Sequence, residues 1–172
     1  EKNGKYFKVA FSLSGVGMEE VVANLLKDNC LTVACAESCT GGMLASRLTS
    51  ISGSSMYIKG SIVTYSNEAK MKFLDVNKEI LDTKGAVSPE VAKQMAEGVR
   101  KAVGSDIGVG ITGIAGPTGG TDKKPVGLVY IAVAGKDNTV VKENVFSGDR
   151  ARVRYRSTQQ ALEMIRQYIK NK

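Results

Sequence analysis

The stretch Leu31-Thr-Val-Ala-Cys-Ala-Glu-Ser-Cys-Thr-Gly-Gly42 decides the fold. Its first part, residues 31–36, is a short apolar run between polar residues, which is typical of a buried strand. Apolar residues at helical spacing follow, and Gly53 ends that helix. A buried strand that leads through two glycines into a helix predicts an α/β protein.

The same alternation continues along the chain. We predict a first amphipathic helix that begins at Met18 and ends near residues 27–29. Ser88 and Pro89 fit an N-cap and a first helical residue, and this helix ends at Gly104. The remaining predicted elements are strands at 57–65, 107–112, 126–134 and 139–146, a short helix at 67–73 and a last helix at 150–169. Because the last two strands form a hairpin, the pattern predicts a three-layer α/β/α sandwich with a mixed central sheet.

The length of the chain, its apolar runs and its cysteines limit the class of protein. A chain of 172 residues fits one domain, and no apolar run in it is long enough to cross a bilayer. Cys30, Cys35 and Cys39 are odd in number and close together, so we expect free thiols in a cytoplasmic protein. The first residue is Glu1 rather than Met, so we expect a longer native chain. Residues 1–16 are interpreted as a linker or N-terminal extension and 17–172 as the domain.

Charge and composition limit the chemistry. The net charge of +7 favours an anionic ligand, which is either a phosphate or a nucleic acid. The chain contains no histidine, which excludes a Ser-His-Asp triad, a Cys-His pair and a histidine-ligated metal made by this chain alone. Any acid–base step must therefore use lysine, tyrosine, cysteine or a carboxylate.

A first candidate site lies at the strand-to-helix junction 37–42. A nucleophile at Ser38 would be held at the sheet edge, and the free N–H groups of the next helix could bind a phosphate or an oxyanion. Alternatively, Ser38 or Thr40 only caps the helix. Cys39 is a rival nucleophile, although a cysteine without an activating histidine is more often a small core residue.

A second candidate segment, 59–70, contains lysine and tyrosine side chains that could act as the base for a serine nucleophile. A desolvated lysine can activate a serine, and a tyrosine can orient a proton. Tyr65 and Lys70 lie at the end of a predicted strand and in the turn after it. Lys59 lies near the start of that strand, and we expect it at the far end. Each lysine alone also fits an ordinary surface charge.

The third and fourth candidates would contact the ligand. The glycine-rich loop 113–125 is long, which is uncommon unless a loop binds something, yet it matches neither a P-loop nor a dinucleotide fingerprint. It could also be a mobile surface loop. Arg150 and Arg152 could clamp a phosphate, or they could be charges on a helix surface, as Arg154 and Arg156 nearby suggest.

Six motifs occur in order and together resemble a known family. They are Ala36-Glu-Ser-Cys-Thr-Gly-Gly42, Thr64-Tyr-Ser-Asn67 with Lys70, Gly85-Ala-Val-Ser88, Thr112-Gly-Ile-Ala-Gly-Pro117, Lys124-Pro-Val-Gly127 and Phe146-Ser-Gly-Asp-Arg150. Over about residues 18–170, the chain resembles the C-terminal domain of the competence/damage-inducible protein CinA. Free-standing relatives of that domain are nicotinamide-nucleotide amidohydrolases.

The resemblance implies a reaction: nicotinamide mononucleotide and water give nicotinic acid mononucleotide and ammonia. It implies Ser38 as the nucleophile, with Lys70, or Tyr65 together with Lys70, as its base. The implied substrate-binding residues, including N–H groups around 40–42 for the oxyanion, are Glu37, Thr40, Gly41, Gly42, Thr112, Gly113, Ala115, Gly116, Pro117 and Arg150.

The resemblance also implies that no cofactor or metal is needed and that the protein is a homodimer or a larger homo-oligomer. The family's N-terminal domain, which resembles a molybdopterin-binding fold, is not present in residues 1–17. Two alternatives stay open at this point. One is a non-catalytic nucleotide-binding module, and the other is a nucleic-acid-binding domain, which the low aromatic content of 6% disfavours.

Overall fold

The computed structural model describes residues 15–171. The strands of the central sheet are β1 (Val33–Glu37), β2 (Ile58–Val63), β3 (Ile107–Gly113), β4 (Leu128–Ala134) and β5 (Thr139–Val145). The helices are α1 (Met18–Asp28), α2 (Met43–Thr49), α3 (Asn67–Leu74), α4 (Lys78–Lys84), α5 (Pro89–Val103) and α6 (Arg150–Lys170), with a 3₁₀ turn at Ser54–Met56. None of the helices between residues 15 and 171 is both long and apolar enough to cross a membrane.

The five strands form one sheet in the order β2-β1-β3-β4-β5. β1 pairs in parallel with both β2 and β3, whereas β3 with β4 and β4 with β5 are antiparallel. Val33 and Cys35 of β1 belong to the core under α1, α2 and α6, and Ala34 and Ala36 face the core under α3, α4 and α5. The predicted three-layer α/β/α sandwich with a mixed sheet is thus confirmed.

Glycines on β3 bring α5 close to the sheet. A Cβ atom at Gly108 would overlap the carbonyl oxygen of Ala96, and one at Gly110 would overlap that of Ala92. At the N-terminus of α5, the Ser88 hydroxyl accepts a hydrogen bond from Val91 N at 3.3 Å, as the N-cap prediction required. The loop before α5 therefore lies beside the carboxyl end of β3.

The structure differs from the sequence prediction at α4 and at the bounds of β1. The helix α4 was not predicted, because seven residues with few apolar side chains give little periodicity. β1 begins two residues later than predicted and extends to Glu37, since pairing with strands on both sides continues that far. The division into an extension over 1–16 and a domain over 17–172 stays a prediction, because residues 1–14 and 172 lie outside the described part.

Glu37 fixes the turn between β1 and α2. Its side chain is fully buried, and its carboxylate accepts hydrogen bonds from the backbone N–H groups of Gly42, Leu44 and Ala45 at 3.1, 3.1 and 2.9 Å. These are N–H groups that the first turn of a helix leaves without partners, and a negative charge there is favoured by the helix dipole. Glu37 therefore holds the chain on both sides of Ser38.

We predict that Glu37→Gln lowers the free energy of unfolding by about 1–3 kcal/mol, because an amide nitrogen replaces one acceptor and leaves a buried N–H group unpaired. Urea unfolding measures the change. Glu20→Gln, at an exposed position of α1, is the matched control and should shift stability by less than about 0.5 kcal/mol. Equal stability of the Glu37 variant and the parent protein would contradict this role.

Candidate active site

The carboxyl ends of β1, β2 and β3 meet at one edge of the sheet. The Ser38 N–H group donates to the carbonyl oxygen of Ile111 at 3.0 Å, and Thr64 N donates to Glu37 O at 2.9 Å. The turn after β1 is thereby tied to both neighbouring strands. Open α/β sheets place ligands at this edge, so the structure brings three of the predicted segments together here.

Ser38 and Lys70 are in contact. Lys70 Nζ lies 3.1 Å from Ser38 Oγ and 2.7 Å from the Thr64 carbonyl oxygen. Lys70 extends from α3 and is 1% exposed. Burial lowers the pKa of its ammonium group, and the nearby Cys39 and Glu68 side chains oppose this only in part. A buried amine with a lowered pKa beside a hydroxyl is an arrangement that can activate a serine nucleophile.

The other proposed groups are less suited to attack a carbonyl. Cys39 is 6% exposed, and burial raises the pKa of its thiol to about 11, although Arg150 and Arg154 act in the opposite sense. A thiol in that state is a poor nucleophile at neutral pH because the thiolate is the reactive form. Lys59 is exposed and lies near the start of β2, at the opposite end of the strand from Thr64.

Tyr65 and Arg150 form the rim of the site. One guanidinium nitrogen of Arg150 donates to the Tyr65 hydroxyl at 2.9 Å, and the other donates to the Gly116 carbonyl oxygen at 2.9 Å. Tyr65 is 63% exposed. Its hydroxyl therefore contacts Arg150, whereas the amine of Lys70 contacts Ser38. This geometry favours Lys70 alone as the base.

The glycine-rich loop is closed at its base by backbone hydrogen bonds. Ile114 N donates to Leu128 O, and Gly127 N donates to Ile114 O, both at 2.8 Å. The Thr112 hydroxyl donates to Ala86 O at 2.7 Å, so the start of the loop is also tied to the segment before α5.

Within this loop, side-chain space is restricted. A Cβ atom at Gly113 would lie 2.6 Å from a methyl group of Val129, and one at Gly116 would lie 2.5 Å from a methyl group of Val126. Ala115 is buried and Pro117 is exposed after a cis peptide bond. The start of the loop is thus packed closely against β4 and the residues that precede it.

One prediction about the Ser38 turn, that its N–H groups are free, needs correction. The sequence predicts free N–H groups around 40–42 for an oxyanion, but Gly41 N donates to Ser38 O at 3.1 Å and Gly42 N donates to Glu37. These two donors are paired within the protein, because the turn closes on itself. Both glycines adopt positive φ angles, +60° and +91°, which this tight turn requires.

Arg154 and Thr64 extend the site beyond the prediction. Thr40 is fully buried, and its carbonyl oxygen accepts a hydrogen bond from Arg154 Nη2 at 2.8 Å. From the sequence, Arg154 is expected to be a charge on the helix surface. The four-residue spacing from Arg150 was the available signal, since it places both arginines on one face of a helix. Thr64 occurs in one of the six sequence motifs, and the structure shows that its carbonyl oxygen accepts a hydrogen bond from Lys70.

No group of three or more cysteine or acidic side chains that could hold a metal ion occurs among residues 15–171. Arg152 is exposed, with its Nε 4.0 Å from an Asp149 carboxylate oxygen. Of the two arginines proposed to clamp a phosphate, Arg150 is therefore the one at the site.

Comparison with known proteins agrees with this architecture. A protein of Moorella thermoacetica named as competence-damage inducible is 52% identical over 165 residues, which cover 96% of this chain and 39% of that protein. A CinA-like protein of Koribacter versatilis is 53% identical over 159 residues, covering 92% of this chain and 38% of that protein. The chain thus spans about two fifths of the length of these relatives.

Solved structures show the same fold. The competence/damage inducible protein from Agrobacterium tumefaciens superposes with a TM-score of 0.82 at 40% identity, covering 87% of this chain and 94% of that one. A CinA superfamily protein from Klebsiella pneumoniae gives a TM-score of 0.87 at 31% identity, covering 91% and 100%. The family model described as the CinA C-terminal domain matches residues 16–169. With the fold and the matched range in agreement, the chain belongs to the CinA C-terminal domain family.

Proposed function

We propose that the protein is a nicotinamide mononucleotide deamidase that releases ammonia from the carboxamide group and forms nicotinic acid mononucleotide. The observation that carries the proposal is the contact between the buried Lys70 amine and the Ser38 hydroxyl at 3.1 Å. A serine activated by an amine is suited to acyl transfer, and hydrolysis of a carboxamide is acyl transfer to water.

In the first half of this reaction, the neutral Lys70 amine takes the Ser38 proton while Oγ attacks the carboxamide carbon. The resulting ammonium group then gives that proton to the amide nitrogen, the carbon–nitrogen bond breaks and ammonia leaves. Ser38 is now esterified. In the second half, water attacks the ester carbon, Lys70 accepts a proton from the water and returns it to Ser38 Oγ, and the carboxylic acid product leaves.

Positive charge at the rim supports a phosphorylated substrate. Arg150 and Arg154 approach the Ser38 turn from the same face of α6, and guanidinium groups pair well with phosphate. In our proposal, Arg150 binds the 5′-phosphate while the pyridine carboxamide lies at Ser38. The glycine-rich loop provides the opposite wall.

The setting of the reaction is also proposed. The three cysteines are free thiols, which supports a reducing cytoplasmic location. Val63 of β2, Tyr65 just after it and Phe73 of α3 are exposed apolar or aromatic side chains. They support the prediction of a homo-oligomer, since exposed apolar patches mark interaction surfaces.

We expect Ser38→Ala and Lys70→Met each to reduce ammonia release from nicotinamide mononucleotide by at least about 1,000-fold, as removal of a catalytic residue does. Calorimetric binding of the nucleotide should be retained by Ser38→Ala. The matched controls are Ser61→Ala and Lys72→Met, both exposed, and these should keep the parent rate. Full activity of Ser38→Ala would place the chemistry elsewhere, whereas binding of the nucleotide without any ammonia release by the parent protein would leave it as a nucleotide-binding module.

The pH dependence of kcat/KM should reflect the protonation state of Lys70. Because the neutral amine accepts the serine proton, kcat/KM should rise with pH as Lys70 is deprotonated. Burial lowers the pKa of Lys70, so the midpoint should fall below the ordinary lysine value of about 10.4. Ammonia release measured from about pH 6 to pH 11 tests this. A profile that does not rise, or that rises only above the ordinary value, would remove Lys70 as the base.

Arg150→Met should raise KM for nicotinamide mononucleotide by about ten-fold or more, because a hydrogen-bonded charge pair is lost. Nicotinamide riboside, which lacks the phosphate, serves as the comparison substrate and should show a much smaller change. Arg152→Met is the control variant and should leave both constants unchanged. If Arg150→Met raised KM equally for both substrates, Arg150 would shape the rim of the site without binding the phosphate.

A further inference from the structure

A turn between α4 and α5 presents an unusual set of carbonyl oxygens. Four consecutive carbonyls, those of residues 84–87, each accept a side-chain hydrogen bond. Gly85 O accepts from the Ser88 hydroxyl at 3.0 Å, and Ala86 O accepts from the Thr112 hydroxyl at 2.7 Å. The other two, Lys84 O and Val87 O, accept from a single ammonium group, that of Lys124, at 2.5 and 2.7 Å.

The turn is shaped to admit this ammonium group. Gly85 has a φ angle of +77°, and a Cβ atom there would lie 3.3 Å from Lys124 Nζ. No carboxylate pairs with Lys124 among the contacts of the described residues. The charge of Lys124 is therefore compensated by two carbonyl dipoles, through charge-assisted hydrogen bonds.

Lys124 lies at the far end of the glycine-rich loop from Gly116. It closes a turn within that loop, in which Thr121 N donates to Lys124 O at 2.8 Å and Lys124 N donates to Thr121 O at 3.2 Å. At the other end, Arg150 holds the carbonyl oxygen of Gly116. Two cations from different parts of the chain thus fasten the loop to the elements around Ser38.

We propose that Lys124 is a positioning residue that pre-orders the glycine-rich loop for substrate binding. This inference rests on the proposed deamidase function. A loop that is already ordered loses less conformational freedom when the ligand binds, so binding is tighter. The reacting groups, Ser38 and Lys70, are held by β1, β2 and α3 instead. Removing the Lys124 ammonium group therefore raises KM and leaves kcat nearly unchanged.

The test is Lys124→Ala with the exposed neighbour Lys123→Ala as the matched control. We expect KM for nicotinamide mononucleotide to rise about ten-fold or more in Lys124→Ala, as for a lost charged hydrogen bond, and kcat to stay within about two-fold. The control should keep both constants. Formation of nicotinic acid mononucleotide is followed by chromatography, so that added amines do not interfere.

Chemical rescue separates this role from general destabilisation. Propylammonium can refill the carbonyl cluster of Lys124→Ala and should lower KM toward the parent value. Tetramethylammonium has the same charge but no N–H donor and should not rescue. A rise in KM that neither amine reverses, a fall in kcat with KM unchanged, or constants equal to those of Lys123→Ala would each overturn the proposal.

Hydrogen exchange gives a readout that does not depend on activity. Amides of residues 113–125 should exchange faster in Lys124→Ala than in Lys123→Ala, and propylammonium should slow them again. If the parent protein released no ammonia, the deamidase function would fail, whereas this measurement would still decide the role of Lys124. Lys124→Met, which keeps the aliphatic stem, replaces the alanine variant if the latter unfolds. Unfolding of both would overturn the proposal by showing that the ammonium group is needed for folding itself.

Discussion

The burial of one ammonium group, that of Lys70, is the constraint on which the rest of the site depends. Transferring a cation from water into a protein interior is costly unless polar groups replace the water. Here the Thr64 carbonyl oxygen and the Ser38 hydroxyl do so. α3 packs against α5, its Lys70 side chain reaches the Ser38 turn, and burial there lowers the pKa of the amine. The burial of Lys70 is thus both a feature of the fold and the cause of the lowered pKa of its amine.

The backbone, and not opposite side-chain charges, compensates most charges around the site. Glu37 is paired with three N–H groups, Lys70 with one carbonyl and Lys124 with two. Arg150 and Arg154 also reach carbonyl oxygens. Because backbone dipoles are fixed by the turns that contain them, these pairs define positions closely without neutralising the formal charges. The arginines therefore keep a positive field at the rim, which suits an anionic ligand.

Family membership and enzymatic activity are separate conclusions about this chain. The fold, the matched range and the similarity to CinA proteins establish the family. The deamidase proposal depends instead on a pair of side chains and on a cationic rim, because one fold can support several functions. The same distinction applies to the glycine-rich loop, whose order comes from contacts with the rest of the domain and not from its own composition.

The sequence by itself determined the layered architecture, the strand-to-helix turn at Ser38 and the exclusion of histidine from the candidate site. These features depend on local periodicity and composition, which can be read along the chain. Only the tertiary structure decided that Lys70 and not Tyr65 reaches Ser38, that Glu37 occupies the N–H groups of α2 and that Cys39 is a buried thiol. The reason is distance along the chain: Lys70 is 32 residues from Ser38 and Arg150 is 85 from Tyr65. Contacts of that kind are set by how the layers pack, and no local pattern specifies them.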